Sequence, residues 1–142
     1  MATREPRTLT ASATVDSSYS DGVTVIDAAA GLTVTLPAAT GTGYEYDFFI
    51  GTTVTSNDVI IQVASASDTM AGVAAFAADG GNTAVFFETA ATSDTITMDG
   101  STQGGILGNR IKLRDVKSGV WAVSITGSAT GSEATPFSAA VS

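Results

Sequence analysis

Cysteine and histidine are both absent from the 142 residues. Their absence excludes thiol and imidazole nucleophiles, zinc sites of the usual Cys/His kind and any disulfide framework. Positive charge is scarce. Six Lys and Arg stand against fourteen Asp and Glu, for a net charge of −8. Sequence-independent binding to nucleic acid is not expected, because it rests on cations that neutralise phosphates. Long apolar runs are missing too. The longest lies near residues 70–78, far below the ~18 residues a membrane span needs, so no membrane partner is expected. The opening MATREPR is polar with no apolar segment behind it, which argues against a cleaved signal and for synthesis in a cytosol.

Small residues fill the space left by these absences. Ala (23), Thr (22), Ser (15) and Gly (15) together make 75 of the 142 residues. Charged residues are only 14% and hydrophobic residues 44%, a balance that favours a folded chain over a disordered one. The length fits one domain able to bury a core without a disulfide or a metal. Small side chains and Thr suit tightly packed sheets and close contacts between chains.

The apolar period is two rather than 3.6. Strands are expected over 8–14, 23–26, 32–36, 44–50, 59–63, 83–88, 95–99, 110–116 and 120–126, rich in Val, Ile, Thr, Phe and Tyr. Between them lie turn signals such as Asp79-Gly80-Gly81-Asn82, Asp99-Gly100 and Ser118-Gly119. About nine short strands at regular spacing predict an all-β fold, an antiparallel β-sandwich or barrel. The Ala-rich segment 65–78 reads as irregular or as a short helical insert. Ser67-Asp68-Thr69-Met70 resembles Ser93-Asp94-Thr95-Ile96, but no period is sustained, which argues against a solenoid. Residues 1–21 are expected to form an N-terminal arm and leading strand, 22–126 the β body and 127–142 a C-terminal tail, all within one domain. Arm and tail would be ordered by contact with another subunit or partner.

Charge is distributed unevenly. No Lys or Arg occurs from Thr8 to Asn109, a window that holds eleven carboxylates. Four of the six basic residues then fall within Arg110, Lys112, Arg114 and Lys117. On a strand, RIKLRDV places Arg110, Lys112 and Arg114 on one face and Ile111 and Leu113 on the other. Such a row is either a solvated face or a strip that docks an acidic surface and fixes its register. The partner-binding candidates are therefore Arg4 and Arg7 in the arm and Arg110, Lys112 and Arg114 on the strand.

The residues support no reaction. Without His, a Ser or Thr nucleophile has only Lys112, Lys117 or a carboxylate for a base, and no G-x-S-x-G occurs. Glu45 and Asp47 share one strand face, with Tyr44, Tyr46, Phe48 and Ile50 expected in the core. Asp79 to Asn82 and Asp94 to Gly100 are rich in oxygen ligands, but turn chemistry explains them and the EF-hand spacing is absent. No nucleotide loop is present. The expectation is a non-enzyme with no cofactor and no metal.

Three stretches carry a resemblance: LTVTLPAATGTGYEYDFFIGTTVTSNDVIIQV (32–63), SDTITMDGSTQGGILGNRIKLRDVKSGVWAVS (93–124) and GSEATPFSAAVS (131–142). They resemble short structural proteins of marine tailed bacteriophages, several of which are similar to capsid decoration, or cement, proteins. The resemblance implies a β-rich virion protein on the outside of the phage head, assembled in the host cytoplasm. It also implies a major capsid protein as partner and a homo-oligomer, most often a trimer. An alternative is a tail or fibre component that recognises host glycan, which predicts an exposed aromatic patch, with Trp121 or Tyr44 and Tyr46 at the surface. A carboxylate glycosidase would instead require two acids about 5–9.5 Å apart in a cleft.

Overall fold

The structure, a computed structural model, describes residues 5–20 and 22–142. Arg4, one of the candidate contact residues, lies outside the described residues. Twelve strands are present among the described residues: β1 (Arg7–Leu9), β2 (Ala13–Thr14), β3 (Val23–Ile26), β4 (Leu32–Thr35), β5 (Glu45–Ile50), β6 (Val59–Gln62), β7 (Thr69–Ala78), β8 (Thr83–Glu88), β9 (Thr95–Met98), β10 (Arg110–Lys117), β11 (Val120–Ala129) and β12 (Phe137–Ser138). The only described helix is a 3-10 turn at Ser17–Tyr19, capped by the Asp16 side chain. No helix among the described residues is long and apolar enough to cross a membrane. The fold is all-β, as the period of two predicts.

The strands form two sheets, one ordered β1-β3-β5-β10-β11-β7-β8 and the other β12-β9-β6-β4-β2. Each keeps two edge strands, so neither closes into a barrel. Pairing is mixed, not purely antiparallel. From β1 to β6 the chain changes sheet at every strand, so β1, β3 and β5 run parallel in one sheet and β2, β4 and β6 run parallel in the other. This is a short two-sheet coil, which the lack of a sequence period had argued against. Its turns are unequal. Arg7 pairs with Thr24 but Val23 pairs with Asp47, and Ala13 pairs with Val34 but Leu32 pairs with Val59. A coil whose turns differ in length leaves no fixed period in the sequence. The remaining strands close the sandwich with a β7–β8 hairpin, a β10–β11 hairpin inserted between β5 and β7, and β9 and β12 on the smaller sheet.

The core fills the space between the sheets. Tyr46, Phe48 and Ile50 of β5, Ile111 and Leu113 of β10, and Trp121 of β11 lie in one buried cluster with Val34 of β4, Ile61 of β6 and Ile96 of β9. Burying each large apolar side chain is worth roughly 1.5–3 kcal/mol, so the alternation of these strands fixes which face turns inward. Tyr46 and Trp121 meet edge to face, with ring centroids 5.5 Å apart.

Three expectations about elements are corrected. The Ala-rich segment is neither irregular nor helical, because residues 69–78 form β7, a ten-residue strand. Its small side chains let it lie between β11 and β8, and that tertiary pairing overrides the helix preference of alanine. Segment 8–14 is not one strand. It splits into β1 and β2, in different sheets. Residues 127–142, expected as a tail ordered by another subunit, dock on their own chain. Residues 127–129 complete β11, Phe137 is buried in β12, and the backbone N–H groups of Val141 and Ser142 donate to the Asp94 carboxylate.

Candidate functional site

The inner face of each sheet is consumed by the core, which leaves the outer face of the seven-stranded sheet as the candidate. β10 is central in that sheet. Ile111, Leu113 and Asp115 are buried, while Arg110, Lys112 and Arg114 are exposed. The predicted row of three cations therefore exists, and its side chains are about half exposed.

Its neighbours come from register. On β5, Lys112 lies opposite Asp47 and Arg114 opposite Glu45. Arg110 Nη2 is 2.9 Å from Asp47 Oδ2, Arg114 Nη2 is 2.8 Å from Glu45 Oε2, and Lys112 Nζ is 3.8 Å from Glu45 Oε1. Three cations thus meet two carboxylates. Each exposed pair is worth about 0–1 kcal/mol, so the pairs orient the side chains more than they stabilise the fold. On the other flank β11 presents Ala122, Ser124 and Thr126. Two open grooves flank Lys112: one of ≈ 220 Å³ touching Glu45, Arg114 and Ala122, the other of ≈ 180 Å³ touching Arg110, Ser124 and Thr126. Each sets cations beside small uncharged residues, and the first also presents the Glu45 carboxylate.

Arg7 is not part of this row. Its register partner Thr24 is a buried residue, so Arg7 belongs to the opposite face, at the β1 edge. Its guanidinium donates to the Ser18 hydroxyl and lies 4.3 Å over the Tyr19 ring. The structure therefore joins three of the candidate residues and sets Arg7 apart.

The other constellations resolve in place. Glu45 and Asp47 lie on the outer face beside their cations, on open sheet surface and not in a cleft. Asp99 accepts from Ser101 N–H, Gln103 N–H and the Thr102 hydroxyl and so closes its own turn, whereas Asp79 accepts from Gly131 N–H and ties the β7–β8 turn to the segment after β11. Among the described residues no cluster of three or more acidic groups could hold a metal. Trp121 is fully buried and Tyr46 is 2% exposed, whereas Tyr44 is 47% exposed. The three rings do not make a surface platform.

Two features escaped the sequence reading. Phe86, on β8, is 65% exposed on the same outer face, in register with Ala75 of β7. Adjacent Phe86 and Phe87 must point to opposite faces of a strand, so one of them had to leave the core. The second is Asp115. The alternation of RIKLRDV sends it inward, and it becomes a buried hub. It accepts from the N–H groups of Thr40, Gly41 and Thr42 at 3.1, 2.7 and 3.1 Å, and from the Thr42 hydroxyl at 2.8 Å. Burial raises its pKa, but these hydrogen bonds outweigh burial and hold the carboxyl below the usual range.

No family model, curated protein or solved structure matches this chain.

Proposed function

We propose that this chain is a non-enzymatic virion structural protein, a capsid decoration protein attached to the outer surface of a phage head. The major capsid protein is its partner, and it acts as a homo-oligomer without cofactor or nucleic acid. The observation that carries this reading is the row Arg110, Lys112 and Arg114 on an uncovered sheet face. On a chain of net charge −8 these three cations outnumber Glu45 and Asp47, the two carboxylates they pair with, and the positive excess is suited to an acidic patch on a capsid subunit. Several copies attached at once would hold through modest single contacts. The resemblance of 32–63, 93–124 and 131–142 to phage structural proteins points the same way. So does the lack of a trypsin site between residues 8 and 109, which suits a protein exposed outside the cell.

Cryo-electron microscopy of the particle that carries this chain tests the proposal. The expected result is density on the outer head surface with β10 against a capsid subunit. Density confined to the tail, or absence from the particle, would overturn it. Charge reversal at Arg110 and Lys112 is expected to weaken head attachment at least ~10-fold, the scale of a lost pair of interfacial charge contacts, with the melting temperature unchanged. Equal attachment of the reversed variant would show that the row is only solvated.

A further inference from the structure

Strand β8 is an edge of the seven-stranded sheet, and its far side pairs with nothing among the described residues. Just beyond it, Thr89 N–H donates to the Gly72 carbonyl. In an antiparallel pair, residues facing the partner with both backbone groups alternate with residues facing away. The odd-numbered residues therefore face β7, and the backbone groups of Ala84, Phe86 and Glu88 point outward, unpaired. Natural edges are blunted by Lys, Pro, a bulge or a covering loop. TAVFFE has no Lys or Pro, and its register with β7 is unbroken. Beside it lies a shallow hollow of ≈ 470 Å³ floored by Ala75, Ala77 and Ala84, with the exposed Phe86 at its rim.

We propose that β8 is a homodimer interface. Two copies pair β8 with β8, antiparallel, about a two-fold axis at Val85, joining the two larger sheets into one. In this register the outward backbone groups of Ala84 meet those of Phe86 of the partner subunit, and the reverse. Each Phe86 ring then stands opposite Ala84 of the other copy, over the Ala84–Ala77 floor of its hollow. Knob and hollow occur on one surface at the spacing that a two-fold axis requires, which is the condition for an isologous contact. Charge favours the same occupant. Glu88 is the only charge on β8, and in this register it lies opposite Asn82 of the partner subunit, so the two Glu88 side chains sit at opposite ends. For a chain of net charge −8, this neutral zone is where a second copy approaches without repulsion. An axis through Phe86 would instead set ring against ring and leave both hollows empty. The two-fold pair differs from the trimer implied by the resemblance, and it stands whether or not the chain sits on a capsid.

Sedimentation equilibrium on the full chain tests the interface. The wild type is expected to be a dimer. Phe86→Asp is expected to raise the dissociation constant at least ~30-fold, the loss that a central aromatic anchor carries, while the separated monomer stays folded and melts cooperatively, because Phe86 lies outside the core; only the part of the melting temperature that rises with wild-type concentration is lost. A monomeric wild type, a trimer, or a dimer indifferent to Phe86→Asp would overturn the proposal. The chain has no Cys, so single cysteines report the register cleanly. Facing Cα atoms at a non-hydrogen-bonded pair are ~4.5 Å apart, within reach of a disulfide. Val85→Cys is expected to give a disulfide-linked dimer on oxidation and Phe86→Cys is not. The reverse pattern would overturn the Val85 axis.

Discussion

Asp115 shows how much a single residue can carry. It ends an inward-facing series with Ile111 and Leu113, so its carboxylate enters the sandwich and must find donors there. The 40–42 loop supplies three N–H groups and a hydroxyl. Asp115→Ala would leave those donors facing a cavity, and we expect it to lower stability by roughly 3 kcal/mol, because bonds to a charged acceptor are worth more than neutral ones. Urea unfolding measures this, and a loss under ~1 kcal/mol would show that water replaces the carboxylate. Alternation in RIKLRDV would have put Asp115 on the apolar face, a step the sequence reading did not take, and nothing local names its donors, which lie more than seventy residues away. The cation row was legible because alternation within one strand is local. The setting of Arg7 was not, since it depends on which strand β1 joins.

Among the elements, β7 and β8 separate what a sequence shows from what it hides. The 83–88 boundaries follow from β-branched and aromatic alternation, and the structure has the same ones. β7 looks helical because alanine dominates it, and only the neighbouring strands make it extended. Gly72 leaves no room for a side chain: a Cβ there would lie 1.8 Å from the Val123 carbonyl oxygen of β11. Gly72→Ala is therefore expected to force β7 and β11 apart and to cost about 2–4 kcal/mol, the range of strained or overpacked core sites. A thermal melt checks it, and an unchanged midpoint would mean that the β7–β11 spacing is looser than described. β12 was missed because two residues carry too little pattern, and it is the burial of Phe137 that holds them.

At the scale of the whole molecule, hydrogen-bonded aspartates set the response to acid: Asp94 and Asp115 staple distant segments, while Asp16 and Asp99 hold local turns. Hydrogen bonds from the Ser18 hydroxyl and N–H hold Asp16 below its ordinary value. Burial raises Asp94 and Asp99, but bonds from Thr95, Val141 and Ser142 to the first, and from Thr102, Gln103 and Ser101 to the second, more than offset it. Asp115 behaves likewise. All four are depressed in the folded state, so the unfolded chain binds more protons as pH falls. Their stabilisation is complete above the unfolded Asp value of about 3.9 and is lost as pH drops through the lower folded values. The melting temperature is expected to stay level from neutral pH to about pH 5 and to fall steeply below about pH 4. A midpoint that rises on acidification would contradict these assignments. The winding of β1 to β6 through both sheets also belongs to this scale, and unequal turn lengths concealed it.

The sequence alone determined the all-β class, most strand positions, the inward and outward faces of β10 and the absence of thiol and imidazole chemistry. Each follows from local alternation or from composition. Only the tertiary structure decided the mixed pairing, the strand made of alanines, the docking of residues 127–142 and the bare β8 edge. These depend on which distant segments meet, and contact between strands far apart in the chain leaves no trace in the period of either one.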